Sequence, residues 1–243
     1  MVSGLGNGGF GAVVFDFDGL LMDTESTLVE GWRAEWAYHG LSLDLDGFWP
    51  DHGGNLTEHR LDQLAALVGP SFDRATSHAR FSAHRRRMHV SMDFRPGIRD
   101  WLREARQMGL ACAIASSSRS LWVSGHLARV GAVELFDVVA TGDEVAAHKP
   151  DPGVYLLALD RLGVEAHRAV AVEDTPHGIT AATVAGMVTV GIPNPYVDIN
   201  RLDHADLALA SAADLPLAEV LSRVSRRPGH DGEIFYTEFD VAT

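Results

Sequence analysis

The chain has 243 residues, 46% of them hydrophobic, enough to build a core in one large domain or two smaller ones. Its formal net charge of -13 repels phosphate backbones and argues against a nucleic-acid partner, and a small anionic substrate would need a local cationic pocket or a metal. The lone cysteine, Cys112, excludes an internal disulfide and fits a reducing compartment.

No apolar run is long enough to span a membrane. The first residues, MVSGLGNGGFGAVVFDFDG, carry no Lys or Arg and no apolar secretion core, so a cytoplasmic monomer without membrane contact is expected. Gly4 to Gly9 match the G-x-G-x-x-G dinucleotide pattern. That pattern works only between a strand and a helix; here it precedes the first strand and reads as a leader.

The first element is an apolar strand in AVVFDFDG, ending in Asp16 and Asp18. Burying such carboxylates is costly unless a cation or hydrogen-bond donors receive them. The periodicity then becomes helical. Leu28, Val29, Trp32 and Trp36 form a stripe, and further helices are expected at about 55–68 and 72–90. Residues 24–92 therefore read as an all-helical inserted domain, with the α/β core expected in 1–23 and 93–243. The insert has 9 acids and 7 bases. Its basic run, His84 to His89, reads as a solvated helix face.

Beyond the insert, FRPGIRDWLREARQMG has helix-start and helix-stop residues at its two ends. Strands and helices then alternate: LACAIASSS, LFDVVAT, the helix DPGVYLLALDRLG, AVAVED, the helix TPHGITAATVAG, MVTVGI, ADLALAS and a last helix near 214–224. Alternation of this kind predicts a Rossmann-like parallel sheet covered by helices on both faces. The tail from Ser225 has no clear place in either domain.

In an open parallel sheet, ligands bind at the carboxyl ends of the strands. The polar residues there are Asp16, Asp18, Ser116, Glu173 and Asp174, with Lys149 in AAHKPDP ahead of a helix. Lys149 is the only lysine among 19 arginines, a compact point charge where the chain otherwise uses planar forks. Singly, each feature has a plainer reading: an aspartate turn, a serine loop, a helix cap at Thr175 and Pro176. Together they converge four carboxylates on one ammonium. A divalent cation resolves the repulsion, and oxygen-only ligands favour Mg²⁺ over Zn²⁺.

These segments, DFDGLLMDTE, ASSS, HKPDP and VEDTPHGI, resemble in order the four motifs of the haloacid dehalogenase superfamily, in its branch of aspartate-dependent phosphatases and phosphomutases. The helical insert sits where that family carries a small helical cap, and the nearest subgroup holds β-phosphoglucomutase and sugar-phosphate phosphatases. The resemblance implies Asp16 as nucleophile and Asp18 as acid and base. It implies Mg²⁺ on Asp16, the Asp18 carbonyl and Asp174, with Glu173 nearby. Ser116, the Ser117 amide and Lys149 would bind the phosphoryl group. Asp23 and Thr24 would lie at the hinge into the cap, which would close over the site and select a small phosphorylated metabolite.

Two departures stand out. His148 replaces the glycine usual before the lysine. The mutases hold a second phosphate with a cap arginine, and the aligned position here is Thr57, with Arg60 one turn on. Hydrolysis is therefore expected over a mutase. A dehalogenase has no use for Asp18 or a metal. A non-catalytic binding module on the same fold predicts a broken motif, and none is broken.

Overall fold

The structure is a computed structural model that describes residues 9–45, 48 and 57–225. The leader glycines through Gly8, the GGN stretch before Thr57 and the tail from 226 fall outside the described residues. The chain divides into two compact units, residues 1–22 with 94–243 and residues 23–93.

The first unit is a six-stranded parallel sheet: β1 (Ala12–Phe15), β2 (Ala111–Ser116), β3 (Val138–Thr141), β4 (Ala169–Glu173), β5 (Val188–Gly191) and β6 (Leu207–Ala208). The spatial order is β3-β2-β1-β4-β5-β6, so β1 lies between β2 and β4. β1 is short and buried on both faces, which is why it reads as a continuous apolar run without alternation. Register pairs Phe15 with Ile114 and with Val172, which brings Asp16 level with Ala115 and Glu173.

Small residues on one face, Ala113, Ala115 and Ala171, accept Tyr155 and Ala158 of a helix spanning Gly153–Leu162 and Ala181 and Ala182 of another spanning Pro176–Val184. The second of these helices starts as its sequence dictates. Thr175 caps it by accepting from the Gly178 amide at 3.2 Å, and Pro176 occupies the first turn.

One element escaped the sequence reading, a helix over Ser120–Arg129 between β2 and β3. Serines and a mid-helix glycine, Gly125, dilute its pattern, and only Val123, His126 and Leu127 are buried. The segment ADLALAS contributes just two strand residues, and the final helix spans Leu217–Ser225. Among the described residues, no helix is long and apolar enough to cross a membrane.

Among the described residues, the second unit has three helices, α1 (Thr24–Tyr38), α2 (Thr57–Val68) and α3 (Arg74–Val90). Asp23 caps α1 through the Ser26 amide at 3.0 Å. Val29, Trp32 and Trp36 are buried while Leu28 is half-buried, and Trp32 stacks on Phe81 of α3 at 4.0 Å. Of the basic run, Arg86 and Arg87 are exposed.

Candidate active site

Because β1, β2 and β4 are adjacent and parallel, their carboxyl ends open on one rim. Asp16 continues the ladder for one residue, its amide donating to Val172 O at 2.9 Å. The chain then turns sharply at Gly19, which has φ +81°. A Cβ at Gly19 would fall 2.2 Å from Asp174 Oδ2, so only glycine lets the turn pass against that carboxylate.

Asp16, Glu173 and Asp174 are buried, and one carboxylate oxygen from each lies within 4.8 Å of the others. Lys149 enters this group with its side chain 7% exposed. Its ammonium donates to Asp16 Oδ1, to Glu173 Oε1 at 2.5 Å and to Ala115 O at 2.8 Å. Tyr155 donates its hydroxyl to Glu173 Oε1 at 2.6 Å, with its ring centroid 4.9 Å from the ammonium. The other Glu173 oxygen accepts from the Asp174 amide at 3.1 Å. Gly178 gives this carboxylate room, since a Cβ there would sit 1.9 Å from Glu173 Cδ. Asp174 Oδ2 accepts from Asn194 Nδ2 at 2.8 Å.

The charge balance is uneven: three buried carboxylates face one ammonium. Burial, reinforced by Glu173 and Asp174 and opposed by Lys149, pushes the Asp16 carboxyl well above the ordinary carboxylate range. Burial opposes the charge on Lys149, but Asp16 and Glu173 overcome it and hold the ammonium above its usual value. Burial and then the Glu173 charge push the Tyr155 phenol up. An all-oxygen donor set with surplus negative charge fits a hard divalent cation.

Ser116 is buried at the end of β2, its hydroxyl accepting from the Ser118 amide at 3.0 Å, and Ser117 is exposed on the rim. Asp18 differs from the expected convergence. Its carboxylate is not one of the three clustered acids, and two donors outside that group take both of its oxygens. Ser118 Oγ donates to Oδ2 at 2.5 Å and Trp122 Nε1 donates to Oδ1 at 2.9 Å. His148 is exposed, with its carbonyl accepting from the Asp151 amide.

Thr57 is the first residue of α2. Arg60 is buried, donates to Phe48 O and to Gln63 Oε1 at 2.9 Å, and lies over the Phe48 ring.

Sequence reasoning passed over Tyr155, Ser118, Trp122 and Asn194. Asn194 carried a weak signal, as a polar residue just beyond β5. Tyr155 looked like one more apolar helix position, and Trp122 lay on the helix that was not recognised.

A family model described as haloacid dehalogenase-like hydrolase matches residues 13–192. The chain belongs to the haloacid dehalogenase-like hydrolases. A Bacillus subtilis (strain 168) protein, YhcW, named provisionally as a phosphatase, is 35% identical over 216 residues, 88% of this chain and 97% of the relative. The phosphorylated carbohydrates phosphatase of Thermotoga maritima is 31% identical over 179 residues, 72% of this chain and 82% of that protein. A solved family hydrolase from Deinococcus radiodurans R1, with bound phosphate and sodium, superposes with TM-score 0.75 at 28% identity, covering 91% of this chain and all of that one. Fold and family thus agree with the reading from the four motifs.

Proposed function

We propose that this haloacid dehalogenase-type phosphatase hydrolyses a small phosphorylated metabolite with Mg²⁺, through an aspartyl-phosphate on Asp16. The observation that carries the reading is the buried Asp16–Lys149–Glu173–Asp174 group at the ends of adjacent strands. Relatives named for phosphatase activity, one of them on phosphorylated carbohydrates, support the same class.

Asp16, Asp174 and the Asp18 carbonyl, with Glu173 beside them, are the residues that would hold the cation. When bound, it supplies positive charge that lets an anionic nucleophile meet an anionic ester. Asp16 attacks phosphorus, and the ester oxygen leaves with a proton from Asp18. Asp18 then takes a proton from the water that cleaves the phosphoenzyme. Ser116, the Ser117 amide and Lys149 bind the phosphoryl oxygens, whose positioning is most of such catalysis. Glu173 orients the Lys149 ammonium and Tyr155 steadies that carboxylate, because Lys149 and Tyr155 both donate to Glu173 Oε1. We assign the helical insert the family's substrate-selecting cap role.

A mutase would need a cap cation for a second phosphate. Thr57 is neutral, and the Arg60 guanidinium already serves Phe48 and Gln63, which favours hydrolysis. Phosphate release over a panel of phosphorylated metabolites tests the reading. Release with Mg²⁺, its loss with a chelator, and no conversion of β-glucose 1-phosphate to glucose 6-phosphate when primed with the bisphosphate are expected. Rapid isomerisation without phosphate release would overturn it.

A further inference from the structure

The Asp18 carboxylate is held by two donors of different kinds. Trp122 Nε1 reaches Oδ1 at 2.9 Å, and Ser118 Oγ reaches Oδ2 at 2.5 Å. An indole N–H can only donate, whereas a hydroxyl can donate or accept. When Asp18 carries a proton, Oδ1 must stay an acceptor opposite the indole. Oδ2 can take the proton, because Ser118 can reverse its bond.

The indole is itself fixed. Its ring packs on His126 with centroids 4.2 Å apart, and the His126 Nδ1 lies 3.0 Å from the Trp122 carbonyl, both on the same helix. His126 in turn meets the Phe17 ring edge-on at 6.0 Å, the residue between Asp16 and Asp18. Trp122 is thus half-buried against the His126 ring, and its polar edge is aimed at Asp18.

We propose that Trp122 is a positioning residue for Asp18: it pins Oδ1, so that Oδ2, opposite Ser118, is the oxygen that exchanges the proton. This rests on the phosphatase reading above, in which the proton passes from Asp18 to the ester oxygen as the P–O bond breaks. Ser118, as the reversible partner, keeps Oδ2 oriented in both protonation states.

Leaving-group dependence tests it. Phenyl phosphate and p-nitrophenyl phosphate have nearly the same shape, but the nitrophenolate departs without help from an acid. Trp122→Phe keeps an aromatic ring beside His126 and removes the N–H together with part of the indole, and the comparison of the two esters separates the lost bond from the lost packing. The variant should lower kcat/KM for phenyl phosphate about ten-fold, a fraction of the ~10²–10⁴-fold that acid–base catalysis supplies. The loss on p-nitrophenyl phosphate should stay below about two-fold, because that leaving group needs no acid. Ser118→Ala should behave likewise, and Ser118→Thr should restore the rate because it keeps the hydroxyl. In an Asp18→Asn background, Trp122→Phe should add nothing, since the two act as one unit. Equal losses on both esters, or additivity with Asp18→Asn, would reduce Trp122 to packing and overturn the proposal. If Asp18→Asn itself left phenyl phosphate turnover intact, the acid–base reading would fall first and the clamp with it.

Discussion

Each unit of the molecule buries a carboxylate against a cation, but the two arrangements close differently. In the helical unit, Glu35 on α1 is 2% exposed and accepts from Arg80 at 2.5 and 3.0 Å and from Ser77 at 2.6 Å, with His39 at 3.3 Å. One carboxylate meets one guanidinium and a hydroxyl, and the charge is balanced. In the sheet unit, three clustered carboxylates share one ammonium, which pairs with Asp16 and Glu173 and not with Asp174, and an excess of negative charge remains. A buried ion pair alone therefore does not mark a site. The imbalance does, because it is costly unless another charge arrives.

Substitutions can break or sharpen this contrast. The largest effect is expected at Asp16. Asp16→Asn removes the nucleophile and one surplus charge at nearly constant shape. Turnover should fall by on the order of 10³-fold or more, as for other nucleophile replacements. The thermal midpoint without metal should hold or rise. Wild-type turnover in this variant, measured as phosphate release, would break the mechanism.

Lys149→Arg keeps the charge but puts a broad fork where a compact ammonium touches Asp16, Glu173 and the end of β2. We expect kcat to fall about a hundred-fold at saturating Mg²⁺, because the two cations are not interchangeable in a filled pocket. Near-normal kcat would return Lys149 to a merely structural role.

Glu35→Gln is the smallest and tests the other side of the contrast. It keeps the shape and loses the charge facing Arg80. A cost of about 2 kcal/mol is expected in urea unfolding, typical of a hydrogen bond to a charged group. Phosphate release should stay within a few-fold of wild type. A loss of turnover as large as at Lys149 would end the distinction between a balanced pair and an unbalanced site.

The sequence made much of the sheet unit legible. Apolar runs that stop at acids or serines located the ends of β1, β2 and β4, and the single lysine stood out by counting. The helix carrying Trp122 was not legible, because Ser124 and Gly125 interrupt the pattern that would have announced it. Glu35 and Arg60 were unreadable for a different reason: acids and arginines on helices ordinarily face solvent, and only their neighbours show that these two do not. The Cys112 thiol, pushed up to about 12 by burial, matches the inert residue that a lone cysteine within an apolar strand suggests.

The order of elements, and therefore the parallel sheet and the rim of polar strand ends, follows from patterns a few residues long. Periodicity and turn chemistry are local, so the chain displays them before it folds. Which carboxylate receives which donor was decided only by tertiary structure. Lys149 meets Asp16 across 133 residues, and Trp122 meets Asp18 across 104. Those pairings depend on strand register and on side-chain rotamers in a packed interior, and neither leaves a periodic trace in the sequence. Hence the strand-end pattern placed four acids on one rim, while the fold clustered three of them beside an ammonium and handed the fourth to an indole and a hydroxyl.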